Sequence, residues 1–204
     1  MAEKISKKII LKLLKSNAIH QEDIEVYTYG IQLLVMMILD WSITFFIMLV
    51  IKQITMSIVY FIVFMSMRHQ CGGYHAVTHL RCSLAFNIVY VISIWSALYF
   101  SVRDYIWLFV LGELINFGLL FLFAPIAHEN KPVSAEQLMR HRTYGMILNA
   151  ILTVIAVITM ILEQNNLGWS ILFAQISVSG SVFLQKIKVY IKKNQANLQK
   201  GEVR

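Results

Sequence analysis

Six stretches of the chain are predominantly apolar, over 30–51, 54–67, 84–102, 105–124, 144–162 and 167–184. A helix that crosses a bilayer needs about 20 mostly apolar residues, and each stretch is read as one such span. The second is the exception in length. Its 14 residues would rise about 21 Å as a helix, against about 30 Å of hydrocarbon. Either this helix continues into the polar segment that follows, or that segment dips into the bilayer. Backbone that is not helical is tolerated at such depth only where protein covers it or a wet cavity meets it. The start of the chain has a different period. Ile5, Ile9 and Leu13, with Ile10 and Leu14, share one helical face, and Lys4, Lys7, Lys8, Lys12 and Lys15 fill the other. This pattern predicts a helix lying in the membrane interface, and it lacks the apolar core and small-residue site of a cleavable signal.

The predicted fold is therefore all-α: a polytopic integral membrane protein of about six transmembrane helices behind an N-terminal amphipathic interfacial helix. It is expected as a single domain over 1–204, with the amphipathic helix and linker in 1–26, the transmembrane core in 27–185 and a basic tail in 186–204. Composition agrees. The chain is 58% hydrophobic and 14% charged, where soluble domains have about 25% charged residues. The net charge of +7 does not point to nucleic acid, because the basic residues lie at the two ends and in two loops. With the N-terminus inside, sixteen of the 18 Lys and Arg fall on inner segments, and only Lys52 and Arg103 fall outside. That split follows the positive-inside rule, so both termini and both long loops are expected in the cytoplasm, with anionic lipid of the bilayer as a partner. Asp40, Glu113 and Asn116 fall inside spans and are read as hydrogen-bonding groups between helices, or for Asp40 as lining a wet cavity. Trp41, Trp107 and Trp169 are read as interface anchors.

The chemistry concentrates in one segment. Residues 68–82 read Arg-His-Gln-Cys-Gly-Gly-Tyr-His-Ala-Val-Thr-His-Leu-Arg-Cys. A thiol attacks a carbonyl carbon as thiolate, and a free cysteine with a pKa near about 8.5 is mostly protonated at neutral pH. A neighbouring imidazole takes that proton and later returns it to the leaving amine. An arginine such as Arg68 or Arg81 adds positive potential or holds a carboxylate. Gly72 and Gly73 allow positive φ and close approach of a substrate. Spacing alone leaves the base open. His79 is three residues from Cys82 and meets it on any helix, whereas His75 is seven away and needs a bend to reach it.

Arg68, Gly72-Gly73, His75 and Cys82 form the pattern R-x3-G-G-x-H-x6-C, which resembles the accessory gene regulator B (AgrB) family of bacterial membrane endopeptidases. The resemblance extends to the basic start, the apolar segments, and the basic loop after the fourth of them, with Ala124-Pro125 and Asn130-Lys131-Pro132. It implies a catalytic pair of Cys82 and His75, no cofactor and no metal, and a multi-pass protein of the bacterial cell membrane with its catalytic loop in the cytoplasm. It implies as substrate an AgrD-like precursor peptide, with an amphipathic leader, a short core and an acidic tail. Cys82 would release the tail and hold the core as a thioester. A Cys or Ser of the core would then close a thiolactone or lactone ring, giving the precursor of an autoinducing peptide. Arg68, Gly72, Gly73, Lys131, Arg140 and Arg142 are the expected substrate contacts. A homodimer is compatible with the family and is not reached by composition.

Two other readings stand beside this one. Cys71, His75, His79 and Cys82 are spaced C-x3-H-x3-H-x2-C, and two Cys with two His are a zinc set; the Gly-Gly pair breaks the helix where Cys71 would have to swing round. A small transporter or receptor would use the intramembrane polar residues, although no repeat symmetry supports it.

Overall fold

The computed structural model describes residues 2–16, 19, 21–74, 78–103, 105–126 and 134–201. Among them are seven α-helices and no strand: α1 (Ala2–Lys15), α2 (Ile24–Ile51), α3 (Ile54–Cys71), α4 (His79–Ser101), α5 (Ile106–Phe123), α6 (Ala135–Ile161) and α7 (Asn165–Gly201), with a short 3-10 turn at Gln21–Asp23. The all-α, polytopic architecture is as expected. Five helices, α2, α4, α5, α6 and α7, are long and apolar enough to cross a membrane. The sixth expected span, α3, is not among them, because it reaches 18 residues only by taking in polar Arg68, His69 and Gln70.

The chain divides into two compact units, Met1–Lys52 and Gln53–Arg204. In the first, α1 packs on α2. The α1 face that is buried carries Ser6 and Ile10, whereas Lys8, Ile9, Leu11 and Lys12 are exposed. The buried stripe is thus turned slightly from the one expected through Ile9. In α2 most apolar side chains are exposed, including Ile38, Leu39, Phe45, Phe46 and Leu49. A helix apolar on all sides and packed on so little of itself suits lipid.

In the second unit α7 is the hub. It packs against α3, α4, α5 and α6, which follow each other around it in the order α4, α3, α6, α5. Its inward positions explain why. Ala174, Val178, Ser179 and Val182 are small and fully buried or nearly so, and small residues let helices approach closely where no hydrophobic effect drives them together. Polar side chains join the bundle. Ser170 donates to the Met56 carbonyl at 2.9 Å, and the Tyr60 hydroxyl donates to Ser177 at 3.0 Å. Deeper in, the Asn116 and Gln175 amides both donate to Asn149 Oδ1 at 2.9 Å, and the Thr153 hydroxyl donates to Glu113 Oε2 at 2.8 Å. Glu113 and Asn116 are therefore interhelical hydrogen-bonding groups, as read from the sequence.

Trp169 corrects an expectation. It is not an interface anchor but is 2% exposed, stacked on Phe100 at 5.0 Å and edge-on to Phe109 at 5.4 Å. Its place on the hub helix, among aromatic rings of α4 and α5, outweighs the preference of indole for headgroups. Trp107, by contrast, is exposed.

Candidate active site

The apolar run of α3 does not end the helix. It continues through Arg68, His69, Gln70 and Cys71, and stops at Gly72, whose φ is +71°. Of the two outcomes left open for this short span, the helix continues. Gly72 and Gly73 then carry the chain off as a strap, with φ of +140° at Gly73. Three groups hold the strap. The Arg68 guanidinium donates to Ser181 Oγ at 2.7 Å and to the Tyr74 carbonyl. The Tyr74 N–H donates to the Ser181 carbonyl at 2.9 Å. The Ile126 N–H donates to the Cys71 carbonyl at 3.2 Å. The glycines are needed for this closeness as well as for their φ. A Cβ on Gly72 would lie 2.7 Å from the Ile126 carbonyl oxygen, and one on Gly73 would overlap the Arg68 guanidinium and the Ser181 hydroxyl.

Ser181 also gives the depth of the strap. It lies sixteen residues after Asn165 on α7, about 24 Å along the helix. A helix that enters the hydrocarbon near Asn165 reaches the strap before it has crossed the core of about 30 Å.

The chain re-enters helix at α4. Thr78 is its N-cap, and the side chain accepts from the Arg81 N–H at 3.4 Å. Cys82 follows one residue later, and its own N–H donates to the Thr78 carbonyl at 3.1 Å. Cys82 thus sits in the first turn, at the end where the helix dipole is positive. Its side chain is partly exposed, and the Arg68 guanidinium is within coulombic range of it. The structure thereby brings Arg68, the Gly-Gly strap and Cys82 together. His75 and Lys131 lie outside the described residues, as do His128 and the side chain of His79.

Cys71 has a different setting. It is 2% exposed, and a Cβ on Gly145 of α6 would be 3.1 Å from its Sγ. Brief treatment of the folded protein with a water-soluble maleimide is expected to label Cys82 and spare Cys71, as read by peptide mass. Equal labelling would mean that the end of α3 opens readily.

Other expected contacts are engaged within the protein. Arg140 and Arg142 are not in a loop but on the first turns of α6, because Ser134 and Gln137 form a reciprocal capping box that starts the helix early. Arg140 is exposed and pairs with Glu136 at 3.6 Å. Arg142 donates to the Phe121 carbonyl at 3.1 Å and lies over the Phe121 ring. His141 has Nδ1 2.9 Å from Gln70 Oε1, because the capped α6 brings it beside the end of α3. Gln70 is thus held by His141, the Asn87 amide donates to the Ser83 carbonyl at 2.9 Å, and Glu113 is held by Thr153.

Among the described residues no three His, Cys, Asp or Glu side chains gather as a metal site. A cavity of about 820 Å³ lies between α5 and α6, lined by Phe109, Glu113, Phe117 and Thr153, and none of the described residues of 68–82 line it. Ser181 and Ile126 are the site-building residues that the sequence reading missed. The serine run Ser177, Ser179, Ser181 in the last span was their visible signal for α7. Nothing local marks Ile126, which acts through its backbone.

A family model described as accessory gene regulator B matches residues 2–187. No curated protein and no solved structure matches the chain.

Proposed function

The chain belongs to the accessory gene regulator B family, and from that premise we propose that it is a membrane-embedded cysteine endopeptidase acting on an AgrD-like propeptide. Membership itself supports a role in quorum-sensing peptide processing, with a propeptide as substrate. The finer reading gives Cys82 the role of nucleophile and His75 that of general base and acid, over the whole of 1–204 as one working domain. The observation that carries it is the partly exposed Cys82 in the first turn of α4, within electrostatic reach of the Arg68 guanidinium that holds Tyr74, the residue before His75 in the sequence.

The physics of that place suits the reaction. The positive end of α4 and the Arg68 guanidinium both favour negative charge where the sulfur sits. His75 takes the thiol proton as sulfur attacks the carbonyl carbon at the core–tail junction. The C–N bond breaks, the proton goes to the leaving amine, and the core remains on Cys82 as a thioester. A Cys or Ser of the core then displaces Cys82 and closes the ring. Backbone at membrane depth excludes bulk water, so ring closure competes well with hydrolysis. Arg68 is a positioning residue in this reading, since its donors hold Ser181 and Tyr74. The orientation, with both termini and the strap toward the cytoplasm of a bacterial cell, is carried by the distribution of Lys and Arg.

The test is mass spectrometry of purified protein in liposomes with the propeptide encoded beside it. The expected result is a free tail, a core lighter by one water, and enzyme carrying the core through a bond that hydroxylamine cleaves. An intact propeptide under all conditions would refute the peptidase reading. A released tail with a hydroxylamine-resistant enzyme would refute the thioester.

A further inference from the structure

Buried polar atoms in a membrane bundle need partners within the protein, because lipid offers none. One cluster, where α5, α6 and α7 meet, leaves several over. Asn116 and Gln175 both donate to Asn149 Oδ1. Gln175 Nε2 also donates to the Thr153 hydroxyl at 3.3 Å, and that hydroxyl donates to Glu113 Oε2. Among the described residues, Glu113 Oε1, Asn116 Oδ1, Gln175 Oε1 and Asn149 Nδ2 are nevertheless buried without a hydrogen-bond partner. The four residues are at most 9% exposed. Three of these four atoms are oxygens that accept, so the cluster favours a positive guest.

The cluster is deep. Glu113 lies seven residues past Ile106 on α5, Thr153 eight before Ile161 on α6, and Gln175 ten past Asn165 on α7. These positions are about 11, 12 and 15 Å from the same end of the bundle, near the middle of about 30 Å of hydrocarbon. The cavity between α5 and α6 joins the cluster to that end. Glu113 and Thr153 line its deep part, and Arg103, Glu163 and Asn165 line it at the helix ends. Arg103 is drawn over the Tyr99 ring of α4 at 4.2 Å, and Glu163 is exposed.

We propose that the free oxygens of Glu113, Asn116 and Gln175 bind one alkali cation, sodium or potassium, which enters through this cavity. One carboxylate matches one positive charge, so ion and site together are neutral inside the hydrocarbon. Carboxylate and amide oxygens are ligands for hard cations, and a divalent ion calls for more carboxylates than one. The rival guest is a proton on Glu113. It would give Asn116 Oδ1 a donor and leave Gln175 Oε1 unpartnered, whereas an ion serves all three oxygens. Gln175 precedes Ser181 by six residues on α7, about 9 Å, so the bound ion braces the helix that holds the strap. The site does not rest on the peptidase reading, and a chain that never cleaves would still bind the ion.

The experiment uses full-length protein in phosphatidylcholine nanodiscs, in sodium, potassium or choline chloride at equal ionic strength. Radioactive sodium is expected to bind saturably. At an alkali-ion concentration about tenfold above Kd, Tm should exceed its value in choline chloride by about 4 °C. Glu113→Gln should abolish both the binding and the shift. Glu113→Asp, which keeps the charge and draws it back by one methylene, should bind more weakly and still show a shift. A cooperative melt of Glu113→Gln in choline chloride separates loss of the ion from loss of the fold, and Glu113→Asp carries the comparison if that melt fails. Equal Tm in the three salts with no saturable sodium binding overturns the proposal and leaves the proton as guest. Sodium binding that Glu113→Gln retains overturns it as well, since the ion then sits elsewhere.

Discussion

Cys82→Ala is expected to reduce tail release on the order of 10⁴-fold or more, to the rate without enzyme, and to abolish the acylated protein altogether. The size follows from the mechanism. Without sulfur no covalent intermediate forms, and what remains is whatever binding and polarisation the strap supplies. Fold should be untouched. Cys82 is partly exposed on the first turn of α4, and the turn is held by Thr78 and the backbone rather than by the thiol. Alanine is moreover a good helix former. Cys82→Ser separates nucleophile from shape: it keeps the geometry with a far weaker nucleophile, so trace cleavage and an ester-linked core are the expected signs. The measurement is product formation in liposomes by mass, beside thermal unfolding of each variant. Cleavage by Cys82→Ala within tenfold of wild type would move the chemistry elsewhere.

The second large effect belongs to a residue with no reactive group. Gly73→Ala is expected to lower kcat by about 100-fold or more, the cost of displacing reacting groups by about an ångström. At Gly73 the backbone has φ of +140°, and an added methyl would overlap Arg68 and Ser181. Strap and guanidinium cannot both stay where they are. His75 is two residues further on and Arg68 lies near Cys82, so the shift reaches both partners of the proposed pair. The cause can be separated from direct substrate contact. Ser181→Ala vacates one of the two overlapped positions, and the double variant Gly73→Ala/Ser181→Ala should recover part of the lost rate. If Ser181→Ala merely adds its own loss, the glycine acts on the substrate and not through the lock. Both are to be read as kcat and KM separately, since a packing fault at the strap lowers kcat first.

The different fates of two cysteines and two glycines show where local pattern ends. Cys71 and Cys82 are alike as letters. Burial against Gly145 on α6 sets the first aside, and the first turn of α4 presents the second. At Gly72 and Gly73 the space a side chain would take is occupied by Ile126, Arg68 and Ser181 of the protein itself.

The sequence by itself determined the class of fold, the apolar run inside each of α2 to α7, and the segment proposed to hold the chemistry. The reason is that lipid rewards long apolar runs wherever they occur and penalises any dense set of ionisable groups, so both are written locally. It also carried the motif by which the family is known. Tertiary structure alone decided that the last span is the hub, that α3 runs on to Cys71, that α6 begins early enough to put His141 beside Gln70, and that Ser181, 113 residues from Arg68, holds the strap. These depend on which helix faces meet. In a membrane that choice rests on close packing of small residues and on single hydrogen bonds between distant positions, which leave no period in the chain.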